Sequence, residues 1–412
     1  MIEHVPRHNR GVEIEARPFE GNHRAFLESV AVGFSEHLTD EAAPKLESVL
    51  EFDRAIGAYD GERLVGNAAA ISFELTIPGG VLPAAGVTTV GVHPTHRRRG
   101  ALRQMMRLQL DDVHQRGEPL AVLWASEGGI YQRFGYGLAS MRAGVKVDRH
   151  RNAFRRPHEF SGMIRMVGED EARGAFPAVY DAVRPTRPGF FSFSPAFWDA
   201  EVFYFPERWR RGRGEPFHVL HDVGGVVDGY ARYAVRDGDT TELSILDMVA
   251  ANPAAQLDLW RYLLDIDLMS RLEWWNLAVD DPLVLAVAEP RKLEMSVGDA
   301  LWLRIVDLSP ALAARRYRAD GRVVLEVADE FCPWNDGRWT LSVEDGVPYV
   351  EPATDTADLA CDITDLAAVY LGAFSFAQLA AAARVEERAP GGIGRADALF
   401  RTDLAPWCPR VF

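Results

Sequence analysis

Thr89-Val-Gly-Val-His-Pro-Thr-His-Arg-Arg-Arg-Gly-Ala-Leu102 is the stretch on which the reading of this chain turns. Val90 and Val92 close an apolar run with strand character, Pro94 interrupts it, and Arg97-Arg98-Arg99-Gly100 leads into an amphipathic segment. A diphosphate needs backbone N–H donors that are free to point at it, and the first turn of a helix supplies them. Gly100 carries no side chain to hold a phosphate away, and Arg97, Arg98 and Arg99 add fixed positive charge. A basic triplet alone reads equally as a solvated loop. The glycine and the helix behind it point to a diphosphate.

Working outward, Leu102, Met105, Met106, Leu108 and Val113 keep a period of about 3.6 up to Arg116-Gly117, which predicts a helix. Leu120 to Trp124 is a continuous apolar run, suited to a strand buried on both faces. The segment Ser126-Glu-Gly-Gly-Ile-Tyr131-Gln-Arg-Phe-Gly-Tyr136-Gly137 follows. Upstream, Phe26 to Phe34 has helical spacing. Ala55 to Tyr59, Leu64 to Ile77 and Val81 to Val92 read as strands, turned at Asp60-Gly61 and Pro78-Gly79-Gly80. Residues 1–147 are therefore expected to form an α/β sheet domain that binds acyl-CoA and transfers its acyl group.

The layout repeats downstream. Val226 to Val235 and Glu242 to Val249 read as strands, a helix carries Leu257, Leu259, Trp260, Leu263 and Leu264, and Leu277 to Val279 is a further short strand. The intervening turn, Ala250-Ala-Asn-Pro-Ala-Ala255, has neither arginine nor glycine, so residues 148–300 read as a diverged copy without the phosphate cradle. From residue 301 to 412 strands (Leu301 to Val306, Arg322 to Val327, Trp339 to Val343) mix with helices (Asp365 to Leu371, Ser375 to Ala383). This third block is expected to be a compact α+β domain. Its tail carries Trp407, Pro409 and Phe412, and an apolar tail is expected to dock.

Composition restricts the function classes. With 48% hydrophobic and 25% charged residues the chain has ample core. No apolar run approaches the roughly 18 residues that span a bilayer. Met1 to Arg10 is polar, without the apolar region of a signal peptide. Cys332, Cys361 and Cys408 are odd in number and widely spaced, which fits a reducing cytoplasm. A net charge of −15 argues against nucleic-acid partners and agrees with a cationic small molecule. Three lysines stand against forty-two arginines, read as codon bias. His93 and His96 have ligand-like spacing, but Pro94 interrupts it and no metal is expected. The basic runs Arg149 to Arg156 and Arg208 to Arg213 read as solvated linkers.

Arg97-Arg98-Arg99-Gly100-Ala101-Leu102 resembles the coenzyme A signature of the GCN5-related N-acetyltransferases (GNAT), with Leu102 departing from the small residue expected there. The three-block layout, the Ser126–Gly137 segment and the ending Arg410-Val411-Phe412 resemble the enhanced intracellular survival (Eis) acetyltransferases over nearly the whole chain. The resemblance implies tandem GNAT folds, the first active and the second degenerate, followed by a sterol-carrier-protein-like α+β domain. By position it implies that Val90 and Val92 hold the pantetheine and acetyl carbonyl, and that Arg97, Arg98 and Gly100 bind the pyrophosphate. Ser126 is assigned to the cofactor with them. Tyr131 is implied as general acid and the α-carboxylate of Phe412 as base or amine anchor. Phe34 and Glu36 are implied in the amine pocket. Val411 departs from the acidic penultimate residue of some relatives. A homohexamer is likewise implied by the resemblance alone.

The expected activity is acetyl-CoA-dependent N-acetylation of primary amines on a polycationic, aminoglycoside-type molecule, with polyamines and protein lysines as other amines. No nucleophile presents itself for an acyl-enzyme, so direct attack in a ternary complex is expected. A thiolate of pKa about 8.5 is within reach of a phenol near 10. Tyr131 fits that role, and it also fits that of a core tyrosine anchoring its short helix; Tyr136 is expected to pack. The rival reading is a binding protein that senses acyl-CoA, or carries a lipid in its third domain, without turnover.

Overall fold

A computed structural model describes residues 14–148, 153–236, 238 and 241–412. Met1–Arg10 and residues 149–152 of the Arg149–Arg156 run lie outside the described residues. The chain divides into two compact units. One holds the chain up to Ser72 together with Ala85–Glu118, the other Phe73–Ala84 together with Pro119–Phe412.

In the first unit the strands β1 (Glu15–Pro18), β2 (Ile56–Asp60), β3 (Arg63–Ile77) and β4 (Gly80–Val92) succeed one another across the sheet. The distal ends of β3 and β4 belong to the second unit. Successive residues on a strand face opposite ways, and the sequence uses both sides. Ile56, Ala58 and Ala68 pack with Ala101 and Met105 of α3 (Ala101–Gln115). Ala55 and Ala69, one residue out of step, pack with Phe26 and Leu27 of α1 (His23–Gly33) and Ala43 of α2 (Ala42–Val49). Alanines at these strand positions let helices sit close on both faces. The helix from Ala101 and the strands expected here form; β1 and α2 are additions, too short to leave a periodic signal.

The second unit opens with β5 (Leu120–Trp124), α4 (Gly128–Tyr131), β6 (Gly137–Leu138) and β7 (Met141–Asp148). There follow β8 (Met163–Val167), α5 (Glu169–Val183) and α6 (Pro195–Phe197), which continues as a π-helical turn, Trp198–Phe203. Next come α7 (Glu207–Arg210), β9 (Phe217–Val223), β10 (Val226–Arg236), β11 (Glu242–Ala250), α8 (Pro253–Asp265) and β12 (Arg271–Leu277). After α9 (Leu283–Ala286) and β13 (Ser296–Asp299), β14 (Leu301–Ile305) lies antiparallel between β5 and β6. All of β14 is buried, as an interior strand must be. Expected as the first strand of the third block, it pairs instead with elements far upstream.

The central sheet runs β13-β7-β12-β11-β10-β9-β8. Its one parallel pairing, β11 with β12, covers only Glu242–Ser244 against Arg271–Glu273. The strand expected at Leu277 to Val279 is thus β12, displaced upstream; its alternation of half-buried Arg271 and Glu273 with buried Leu272 and Trp274 marks it. The core between α5, α8 and this sheet includes Phe176, Tyr230, Leu259 and Trp260, and also Trp407 from the tail. After α10 (Leu308–Ala314) come β15 (Gly321–Ala328), β16 (Gly337–Glu344), β17 (Val347–Pro352) and β18 (Leu359–Asp362), then α11 (Ile363–Tyr370), α12 (Phe376–Ala381), β19 (Val385–Glu387) and α13 (Gly392–Phe400). The sheet order is β17-β16-β15-β18-β19. Capping boxes, Asp362 with Asp365 and Ser375 with Gln378, start α11 and α12.

Candidate active site

In the first unit the last turn of β4 is kinked. Thr89 has φ 54, a left-handed conformation that a β-branched residue seldom adopts. Its carbonyl accepts a hydrogen bond from Nδ2 of Asn67, a fully buried side chain on β3. Asn67 Oδ1 accepts from Ser29 Oγ at 3.0 Å, and Ser29 Oγ lies 3.0 Å from Nε2 of His93. A hydroxyl has one proton, already given to Asn67, so His93 must donate through Nε2. Burial, with Arg63 and His96 beside it, lowers the His93 pKa and keeps the ring neutral. The relay therefore pins both ends of the segment that carries Val90 and Val92.

Gly91 lets α1 close on this segment. A Cβ on Gly33 would lie 3.3 Å from Gly91 Cα, and one on Gly66 3.0 Å from the Gly91 carbonyl. Phe34 follows at the end of α1 with 47% of its surface exposed, its ring 3.8 Å from where a Gly91 Cβ would stand. Glu36 is exposed two residues on.

The turn after β4 presents Arg97, Arg98, Arg99 and Gly100 to solvent. Arg97 donates to the carbonyls of Val92 and Gly33, each at 3.1 Å, which ties the loop to the strand. Arg99 pairs with Asp60 at 2.9 Å, with His96 3.3 Å from the same carboxylate. Arg98 takes φ 63 and Gly100 φ 87. Gly100 starts α3, and among the described residues no side chain caps that end and a Cβ there would meet nothing within 4 Å. Open space, uncapped amides and Arg97 held by neutral carbonyls fit a diphosphate.

In the second unit Ser126 is exposed just beyond β5, and α4 runs into a short 3-10 turn, Gln132–Phe134. Tyr131 is buried, which pushes its pKa up to about 12. Tyr136 is fully buried, 5.9 Å from Tyr131 between ring centroids, and its hydroxyl has no hydrogen-bond partner among the described residues, so it packs. Gly135 takes φ 84 directly against Arg304, whose guanidinium pairs with Asp329 at 2.7 Å. The tail docks: Trp407 and Cys408 are buried, and the Phe412 ring stands edge-on to Phe73 at 4.9 Å and to Phe191 at 5.0 Å.

The diverged turn behaves differently from the first. Asn252 caps α8 by accepting from Ala255 N at 2.9 Å, and its Nδ2 donates to Asp228 at 2.7 Å. A capped helix start beside a carboxylate repels an anion. Sequence reading passed over Asn67 and Ser29. The signal available was a single polar residue within the apolar run Val65-Gly-Asn67-Ala-Ala-Ala70.

Profiles of acetyltransferase (GNAT) domains match residues 17–139 and 189–305, and a sterol carrier protein domain profile matches residues 308–409. The chain is 40% identical to an uncharacterized N-acetyltransferase of Streptomyces avermitilis, over 89% of this chain and 91% of that one. It is 34% identical to N-acetyltransferase Eis of Mycobacterium tuberculosis, over 91% of this chain and 93% of that one. The crystal structure of Eis1 from Mycobacterium abscessus superposes with a TM-score of 0.84 at 33% identity, covering 97% of this chain and all of that one. GNAT domains take the acetyl group from acetyl-CoA.

Proposed function

The chain belongs to the Eis family of GNAT N-acetyltransferases, and from that premise we propose that it acetylates primary amines of a polycationic, aminoglycoside-type small molecule by direct attack in a ternary complex. The observation that carries this reading is the open start of α3 at Gly100, joined by Arg97 to the kinked strand of Val90 and Val92. Residues 1–147, 148–300 and 301–412 are taken as its three functional segments. On this reading Val90, Val92 and Ser126 hold the thioester arm, while Arg97, Arg98 and Gly100 hold the pyrophosphate. Acetyl-CoA supplies an activated acyl carbon and a thiol leaving group.

Direct attack is supported by the three cysteines, all buried, with Cys408 pushed up to about 12 by burial. Tyr131, neutral through the whole neutral range, is assigned to the sulfur as a hydrogen-bond donor. A thiolate of pKa about 8.5 is less basic than a buried phenolate. Tyr131 therefore acts chiefly as a hydrogen-bond donor while the carbon–sulfur bond breaks, and the departing thiolate then takes its proton from water. A carboxylate near 3.5 is too weak a base for an ammonium near 10. The Phe412 carboxylate accordingly holds and orients the amine, which loses its proton through water, with Phe34 and Glu36 lining the amine side.

The same reading makes the assembly a homohexamer and the compartment the cytoplasm; sedimentation velocity checks the first. Free-thiol release from acetyl-CoA against a panel of aminoglycosides, polyamines and lysine peptides tests the reaction. Release with aminoglycosides supports the proposal, and release with lysine peptides alone moves the substrate to protein. Binding of acetyl-CoA with no release from any amine makes the chain a sensor. One glycine added after Phe412 tests the terminal carboxylate, since unchanged turnover would remove it from the mechanism.

A further inference from the structure

Past the pair Ser244↔Glu273 the parallel strands β11 and β12 cease to pair. Three residues further along each strand stand Asp247 and Asn276, level with one another in that register. Both are buried, and both hold the tail. Asn276 Nδ2 donates to the carbonyls of Cys408 at 3.1 Å and Pro409 at 3.0 Å, and the Asn276 carbonyl accepts from Trp407 Nε1 at 3.2 Å. Asp247 Oδ2 accepts from Arg410 Nη2 at 3.0 Å.

The other side of the tail is held as closely. Trp124 Nε1 donates to Cys408 Sγ at 3.3 Å, and Trp407 N donates to the Pro188 carbonyl at 2.9 Å. Gly189, at φ 97, has no room for a Cβ, which would lie 2.8 Å from the Trp407 carbonyl. The tail peptide Trp407–Arg410 of the same chain thus stands at the level where β11 and β12 part.

We propose that the second GNAT-like domain is a clamp for the chain's own tail, in which Asp247 and Asn276 grip Trp407–Arg410 between the parted strands and thereby fix where Phe412 sits. This rests on the reading of Phe412 given above. Asp247 and Asn276 are then positioning residues, and the second domain has no vacant gap for acetyl-CoA. An ion pair on a buried carboxylate is a poor way merely to anchor a tail, because apolar side chains of equal volume hold as well without desolvating that charge. What an ion pair adds is a single register. Burial also depresses Arg232 to about 9, with Arg410 beside it, so charge is concentrated around this one carboxylate.

The test uses the full chain with Asp247→Asn, Asn276→Ala, Arg410→Met and Arg410→Lys. Hydrogen exchange of the 405–412 peptide, read by mass spectrometry, is expected to accelerate about tenfold or more in the first three and least in Arg410→Lys. Turnover of acetyl-CoA with neomycin is expected to fall about 10- to 100-fold in kcat, the penalty for a misplaced group. The KM for acetyl-CoA should stay within about twofold. Unchanged exchange of the tail in Asp247→Asn and Asn276→Ala overturns the clamp. A loosened tail with full kcat overturns its role in positioning. Deletion of Phe412 separates the two readings: full turnover without it defeats the terminal-residue mechanism and leaves exchange to judge the clamp.

Discussion

The side-chain amide of Asn67 donates to the main-chain carbonyl of Thr89 and holds that residue at φ 54, one position before the strand segment assigned to the thioester arm. Left-handed backbone costs an L-residue about 1–2 kcal/mol, so without its partner Thr89 would relax to extended geometry and redirect Val90. Asn67→Ala also leaves the Ser29 hydroxyl proton and the Thr89 carbonyl without their Asn67 partner. A loss of about 1–3 kcal/mol is expected in urea unfolding, with the KM for acetyl-CoA raised about tenfold. Thr89→Gly is the control: glycine takes this φ without strain, so stability and KM should both hold. If both variants lose acetyl-CoA affinity alike, the kink is not what Asn67 supplies.

Two glycines with positive φ should respond to alanine in opposite ways. Gly100 faces open space, so Gly100→Ala costs only the backbone strain of about 1 kcal/mol and folds normally. Its effect is expected in the KM for acetyl-CoA, which should rise several-fold while that for the amine stays put. At Gly135 a methyl group would overlap Arg304 Nη1 at 2.2 Å and push the guanidinium off Asp329. Breaking a buried pair costs about 3–5 kcal/mol. Thermal melts followed by circular dichroism should therefore show Gly135→Ala strongly destabilised and Gly100→Ala close to the parent.

How much of this was legible depended on the range of the interaction. Gly100 and α3 follow from a local demand, a turn feeding an apolar period of 3.6, and both stand where expected. The lack of a phosphate cradle at Ala250–Ala255 was also legible, though not its cause, the Asn252 cap on α8. Asn67 was not. A lone polar residue in an apolar strand looks like a solvent-facing position, and its partner lies across the β3–β4 hairpin. Leu301–Ile305 announced a buried strand, but nothing local tells such a run to insert between β5 and β6. The tail was expected to dock from its apolar residues, whereas its fixed register comes from Asp247 and Asn276, polar residues in strands that the periodicity had marked only as apolar.

Tyr131 separates catalysis from packing in a single substitution. Tyr131→Phe keeps the ring against Tyr136 and removes only the hydroxyl, so the fold should persist. The expected loss is about 100-fold or more in kcat, with the KM for acetyl-CoA little changed. A core-anchoring role predicts the reverse, lower stability with normal kcat. The pH dependence adds a sign. Burial raises this phenol from 10.0 to about 12, so the protonated form is favoured in the folded state. Its stabilisation is complete below pH 10 and disappears as pH rises through 12. The parent should therefore lose stability between those values faster than Tyr131→Phe, as read from unfolding midpoints at pH 9 and about 11.

Glu201 carries the same sign into the ordinary pH range, a half-buried acid whose charge opposes folding. It lines a cavity of about 190 Å³ with Trp209, Arg232, Trp275 and the tail residues Pro409 to Val411. Burial raises its pKa from 4.5 to about 7, partly offset by the Arg410 guanidinium. The folded state then binds more protons than the unfolded chain between those values, so stability falls as pH rises through the window and levels off above it. Glu201→Gln keeps the shape and removes the charge. At pH 8 it should stabilise the chain by about 1–3 kcal/mol, and near pH 4 by almost nothing, as measured by urea unfolding at the two values. A gain that is equal at both would assign the effect to packing. A loss at pH 8 would mean that Glu201 is held ionised by Arg410 and takes part in gripping the tail.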